Sequence, residues 1–393
     1  MKKITRNILG LILFAVVGGA VSGGIPKVLM ASETAWSPTE ARTVYTGPPY
    51  STRQRYNVLP SVVRLPDGTL VALVEPKKLI FIRSKDGGKS WTEPYVGVSQ
   101  KENFTLNALG VRRDGCLVGV FSQANENLGT SSVEKRTEKL PDGREGQTYT
   151  GYRYSGDLYL GYSKDQGKTW TAGKQIDVSP MISAWTWTMG RVLELDNGTL
   201  IVPVGGYLSL EDMDGIWLSA GVVRSDDEGA TWSFSVLGRG NPSNWTIFSE
   251  PSLAQLDDGT LVAMMRSEDR VTRSSPGDPR GTRYGLHRAT SKDGGKTWTS
   301  PAMSIPNATH CSLASLADGV LLCGYHSHNP RLGLSGDGGL NWYANMLWSI
   351  EDPAADWGYY TSVEVVDENT AVMLIKETPA TNIIRACLLR RQP

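Results

Sequence analysis

Three residues that can do proton-transfer or nucleophilic chemistry, Glu250, His310 and Tyr360, each stand nine positions before the turn residue of three successive hairpin motifs, Gly259, Gly319 and Asn369. A carboxylate serves as a base, an imidazole titrates near neutrality, and a phenol becomes a nucleophile once a neighbouring base takes its proton. The same count in the three earlier hairpins reaches Leu59, Leu106 and Met189, so a ring built from these positions is half apolar and half reactive. A second set stands at the ends of the following strands: Glu75, Lys77, Gln123, Tyr207, Arg266, His326, His328 and Arg331. A single Arg or His on a rim is usually just solvated. Several converging on one axis with Glu250 and Tyr360 make a candidate ligand site.

Two interleaved repeat series supply the elements that must position these residues. The first is Ser-x-Asp-x-Gly-x-(Thr/Ser/Asn)-Trp, present at Ser84–Trp91, Ser163–Trp170, Ser225–Trp232, Ser291–Trp298 and Ser335–Trp342. Its chemistry is that of a tight turn: Asp accepts backbone N–H groups, Gly supplies positive φ, and Trp covers a joint between sheets. The second series is a pair of apolar runs around Asp-Gly, Asn-Gly or a related turn, as in Ser61–Leu70, Arg191–Leu200, Ser252–Leu261 and Ser312–Leu321. Such alternation around Asp-Gly signals a hairpin. The sixth unit, near Tyr360–Leu389, lacks the Asp motif, and its missing fourth strand is expected from Ala41–Tyr45. Six four-stranded units closed in this way predict an all-β, six-bladed propeller without an open edge. The polar stretch Gln123–Arg153 reads as an insertion loop on one rim.

Lys2, Lys3 and Arg6 precede the apolar run Ile8–Val17, followed by small residues up to Ala31, the order of a signal peptide. The expected organisation is a signal at 1–31 and one propeller domain at 32–393, secreted or periplasmic, or anchored if the signal is kept. Lys and Arg balance Asp and Glu at 40 each, which argues against tracking of a nucleic-acid backbone and makes charge selectivity a local matter. Cys116, Cys311, Cys323 and Cys387 show no CxxC spacing, so buried thiols or one disulfide are the open readings, and no metal or other cofactor is implied. A monomer is expected.

The first repeat series matches the Asp box of sialidases, and from about Ala41 onward the chain resembles the bacterial sialidase superfamily. The segment Ser249–Arg266 is similar to that family's fourth-blade hairpin, whose Glu supports the nucleophile and whose Arg binds the substrate carboxylate. The resemblance implies these roles for Glu250 and Arg266, a third carboxylate-binding Arg at Arg331, and a Tyr nucleophile at Tyr360 within Gly358–Val363. Two departures stand out. Where the family carries Arg-Ile-Pro, this chain has Tyr56-Asn-Val-Leu-Pro60, which puts Asn57 at the substrate. The family's Asp acid/base has no counterpart in Leu73–Ile80; Glu75 there offers either a carboxyl acid or a salt bridge to Lys77 or Lys78.

The resemblance implies an exo-acting, retaining glycosidase that removes a terminal acidic sugar, sialic acid or a relative, from a glycan. A lyase or non-sialic glycosidase working through His310 and Tyr360 is a second reading, and a non-enzymatic glycan-binding propeller a third. His326, His328, Tyr207 and Glu75 are read as substrate-facing in the first.

Overall fold

The structure, a computed structural model, describes residues 36–48, 59–100, 104–124, 134–139, 145–150, 156–171, 173–186, 190–215, 217–243, 245–269, 271–272, 283–327, 329–346, 360–376 and 382–391. The expected signal at 1–31, Asn57 and His328 lie outside them. Among the described residues the only helix is Leu210–Gly215, and none is long and apolar enough to cross a membrane.

Each hairpin of the second series forms the two inner strands of a blade, and the six blades surround an axis. Blade 4 is Thr246–Gln255, Leu261–Asp269, Arg283–Ser291 and Ala302–Pro306; blade 5 is Thr309–Ser315, Leu321–Ser327, Asn329–Ser335 and Tyr343–Met346. Blade 6 takes Thr361–Asp367, Thr370–Lys376 and Ile383–Arg391 from the end of the chain. Its outer edge comes from the beginning: Arg42–Thr46 and Trp36–Pro38 both pair antiparallel with Ile383–Arg391. The predicted closure is therefore present, beginning five residues earlier, at Trp36, than the segment Ala41–Tyr45.

The apolar runs follow from burial on both faces. In blade 1, Leu70, Ala72 and Val74 pack with Val372, Leu374 and Leu388 of blade 6, while Val71 and Leu73 pack with Leu106, Leu109 and Phe121 of blade 2. Alternate residues of one strand thus enter two interfaces, and both sets must be apolar. The serine that opens most hairpins has a separate task. Ser252, Ser312 and Ser362 accept, through Oγ, the backbone N–H of Leu313, Val363 and Val62 on the next blade at 3.0–3.1 Å.

The Asp boxes are structural throughout. Ser84 Oγ donates to Asp86 and accepts from the Gly88 amide, both at 2.8 Å, and Trp91 Nε1 donates to the Gly88 carbonyl. The Ser–Asp contact repeats in the other four copies. The residue after each Asp, three times Gly, has positive φ. Donation by Thr231 to Asp227 holds that carboxyl down at about 2.

Two features depart from the repeat. Blades 2 and 3 share one sheet, because the short strand Ser183–Trp185 pairs with Gly156 at position Ala184 and with Gly205–Tyr207. The insertion is a hairpin rather than a loop: Glu134–Lys139 pairs with Glu145–Thr150, which also pairs with Val271–Thr272 beyond the second strand of blade 4. It therefore spans the rim from blade 2 to blade 4.

Candidate active site

Glu250 and His310 occupy equivalent irregularities on adjacent blades. Pairing runs from Ser249↔Arg266 to Ser252↔Met264 in blade 4, and from Thr309↔His326 to Ser312↔Gly324 in blade 5. Each interruption holds its residue at a left-handed φ, 52° for Glu250 and 54° for His310. That conformation costs a non-glycine residue about 1–2 kcal/mol and belongs with sites where aim outweighs relaxation.

The two side chains meet. Nδ1 of His310 lies 2.7 Å from Oε2 of Glu250, while Oε1 accepts from Nη1 of Arg266 at 3.1 Å. Burial alone would push the Glu250 carboxyl up, but His310 and Arg266 outweigh it and hold the group down at about 2. Nη2 of Arg266 donates to Glu268 at 3.3 Å, and its guanidinium stacks 5.2 Å from the Tyr284 ring centre. Burial opposes the charge on Arg266, yet Glu250, Glu268, Tyr284 and Tyr360 keep it firmly protonated. Its Nε is buried without a hydrogen-bond partner.

Tyr360 completes the group from blade 6. Its ring centre is 4.5 Å from that of His310, with the planes inclined at 47°. The imidazole thus touches both the carboxylate and the phenol. Glu250, His310 and Tyr360, found by counting back from three turns, form one contiguous cluster. Arg266 and His326 belong to its surroundings: the His326 ring lies 6.4 Å from His310, and its Nδ1 faces Thr309 Oγ1 at 3.4 Å.

Other expected members stand apart. Glu75 is buried, accepts from the Tyr45 hydroxyl and pairs with Lys78 at 2.9 Å, so its carboxylate holds the chain's first strands to blade 1. Tyr207 is 1% exposed and meets Trp185 edge-on at 5.6 Å, outside the cluster of Glu250, His310 and Tyr360. Arg331 lies one strand farther out than His326, cross-strand from Tyr325, with Nε donating to Ser327 at 3.4 Å.

Lys376 shares the register of the residues at the ends of the second strands. It stands seven residues after Asn369, as Arg266 does after Gly259 and Glu75 after Gly68. Its side chain is fully buried, and its amide donates to the Tyr360 carbonyl at 2.9 Å. Beneath the cluster the axis is bridged. Arg191, standing where other blades place the serine, reaches from blade 3 to blade 6, to the Val363 carbonyl at 2.9 Å and Glu364 at 3.0 Å.

All four cysteines are free and buried. Cys311, next to His310, has its thiol pushed well up by burial and is no nucleophile. Among the described residues no three His, Cys, Asp or Glu side chains are grouped to hold a metal.

A propeller whose inner strands carry this cluster matches known proteins. The model of the BNR repeat-like domain family matches residues 146–323 and 211–379, and the chain belongs to that family. A sialidase of Bacteroides fragilis is 27% identical over 256 residues, 60% of this chain and 42% of its own length. A sialidase of Paraclostridium sordellii is 23% identical over 298 residues, covering 70% of this chain and 67% of that one. The match therefore spans less than half of the first relative. Among solved structures, a protein of unknown function from Dyadobacter fermentans superposes with a TM-score of 0.66 at 18% identity, over 91% of this chain and 99% of that one. The α-L-arabinofuranosidase of Fusarium graminearum, in complex with arabinobiose, gives 0.61 at 15% identity, over 90% and 98%. A Hadza microbial sialidase gives 0.58 at 18%, over 88% and 68%.

Proposed function

We propose that the protein is an exo-acting, retaining glycoside hydrolase that removes a terminal acidic sugar, sialic acid or a relative, from glycans. The observation that supports this most is the unbroken contact from the Glu250 carboxylate through His310 to the Tyr360 phenol. Kinship with sialidases adds to it.

In the first step the Tyr360 oxygen attacks the anomeric carbon as the bond to the leaving oxygen breaks. The phenolic proton passes to His310, and the leaving oxygen takes a proton from solvent water. A phenol is suited to a carbon that already bears a carboxylate, because a carboxylate nucleophile would be repelled. Glu250 fixes the imidazole and balances the positive charge it acquires. In the second step water attacks the glycosyl-tyrosine and gives its proton to solvent, while protonated His310 returns its proton to the departing phenolate and restores the phenol. Two inversions give net retention. Arg266 holds the substrate carboxylate, for which a guanidinium fork is the natural partner.

One observation favours a second reading. Arg266 is already shared by Glu250 and Glu268, which weakens its pull on an anion and suits a neutral sugar. An α-L-arabinofuranosidase of the same fold matches this chain nearly end to end.

Aryl glycosides separate the two, since a phenolate leaving group needs no acid. An aryl α-sialoside, an aryl β-glucuronide and an aryl α-L-arabinofuranoside are compared for aryl release, with proton NMR of the first sugar product and ultraviolet detection of unsaturated sugar. Release from an acidic glycoside with retained configuration is expected. Release from the arabinofuranoside alone would install the second reading, an unsaturated product from a 4-linked uronic acid oligosaccharide offered alongside would make the protein a lyase, and binding without release would make it a lectin-like propeller.

A further inference from the structure

Blade 3 differs from its neighbours at the level of the cluster of Glu250, His310 and Tyr360. In blades 4 and 5 the residue seven positions after the turn pairs with the start of the inner strand, Arg266 with Ser249 and His326 with Thr309, and in blade 6 the Lys376 amide bonds to Tyr360. The same count in blade 3 reaches Gly205, whose partner is Trp185, on the strand shared with blade 2. Gly206 makes room for that strand: a Cβ there would lie 1.9 Å from the Ser183 carbonyl oxygen. With glycine at 205, the indole of Trp185 is the side chain that blade 3 supplies beside this position. Ser183 and Ala184 are buried, whereas Trp185 is only half-buried. Tyr207 meets it edge-on, with the rings inclined at 66°, and braces it.

Blade 3 stands across the axis from blade 6, and the Arg191 bridge to Val363 and Glu364 sets the span between them at one arginine side chain. Tyr360 lies on blade 6, three residues nearer the mouth than Val363.

We propose that Trp185 is the stacking platform of this site. On the glycosidase reading above, its indole receives the C–H face of the sugar whose anomeric carbon meets Tyr360. An electron-rich ring offers the polarised C–H groups of a pyranose a broad apolar surface, and bracing by Tyr207 lowers the entropy lost on binding. The polar half of the sugar then turns to blades 4–6, and blade 3 confers preference for a sugar with one apolar face.

The test uses the full chain carrying Tyr360→Phe, which retains the site while removing the proposed nucleophile, with and without Trp185→Phe or Trp185→Ala. Binding of sialyllactose, a glucuronic acid disaccharide and arabinobiose is followed by calorimetry and by tryptophan emission, and unfolding midpoints confirm that each variant is folded. At least one sugar is expected to perturb the emission. Its affinity should fall roughly tenfold with Trp185→Ala and less with Trp185→Phe, and most of the emission change should disappear in both. Equal affinities in folded Trp185 variants, or no perturbed emission with any sugar, would overturn the platform. Failure of the glycosidase reading shows separately, as wild-type protein that binds one of these sugars at Trp185 yet releases no aryl group.

Discussion

Nδ1 of His310 lies 2.7 Å from Oε2 of Glu250, and the same imidazole packs against the ring of Tyr360. A histidine thus stands between the carboxylate and the phenol, joining three blades. Both Glu250 and His310 are aimed by left-handed backbone in matching irregularities. His310→Asn tests this directly, because asparagine tolerates positive φ while lacking the imidazole. The variant is expected to unfold near the wild-type midpoint and to lose about two orders of magnitude in kcat/KM on the cleaved glycoside. His310→Val adds backbone strain of about 1–2 kcal/mol, read as a lower midpoint in urea. Equal stability of the Asn and Val variants would contradict the strained geometry.

The pH dependence of stability reports on Glu250. Its carboxyl is held at about 2 instead of the ordinary 4.5. A group whose folded value is depressed stabilises the fold above its unfolded value, and that contribution fades as pH falls toward the folded one. The stabilisation is therefore complete above about pH 4.5 and lost progressively down to about pH 2. Urea unfolding of wild type and Glu250→Gln from neutrality to about pH 3 should show a gap that narrows with acid. A gap independent of pH would mean that Glu250 is not held as an ionised pair.

The Asp-box tryptophans differ in depth, which predicts a graded cost. Trp170 is fully buried and contacts Phe81 and Phe121 at ring separations of 6.1 and 5.3 Å, whereas Trp91 is half-buried. Trp170→Ala should cost about 3–5 kcal/mol by denaturant titration, and Trp91→Ala clearly less. Equal losses would show that the turn, rather than the joint between blades, is what the ring stabilises.

Closure of the ring depends on the chain's first strands. Removing residues up to Thr46 takes away the outer-edge partners of Ile383–Arg391, deprives Glu75 of the Tyr45 hydroxyl and empties the place of Trp36 in its core cluster. The shortened protein should aggregate or bind a hydrophobic dye, while protein beginning at residue 32 should not. A soluble, cooperatively unfolding shortened protein would refute closure as a requirement.

The ring of blades was legible because its determinants are local. Five Asp boxes and six hairpin turns each announce themselves within ten residues, and two-sided burial explains the apolar runs between them. Glu250, His310 and Tyr360 were found by the same register count. What the register could not convey is where side chains end. Glu75 shares the position of Arg266, yet Tyr45 and Lys78 claim it, through a contact set by ring closure. Tyr207, expected to face substrate, packs against Trp185 because Gly205 and Gly206 admit a strand that belongs to no repeat. The insertion reads as a polar loop until its strand finds Val271–Thr272, a partner more than a hundred residues away.

The central claim is that the Tyr360 phenol performs the chemistry at a sugar carbon. It is tested most directly by kcat/KM of wild type and Tyr360→Phe on an aryl glycoside of an acidic sugar, with unfolding midpoints measured alongside. The account predicts release by wild type and a loss of at least about two orders of magnitude in a variant of unchanged stability. Comparable turnover by the two proteins would contradict it.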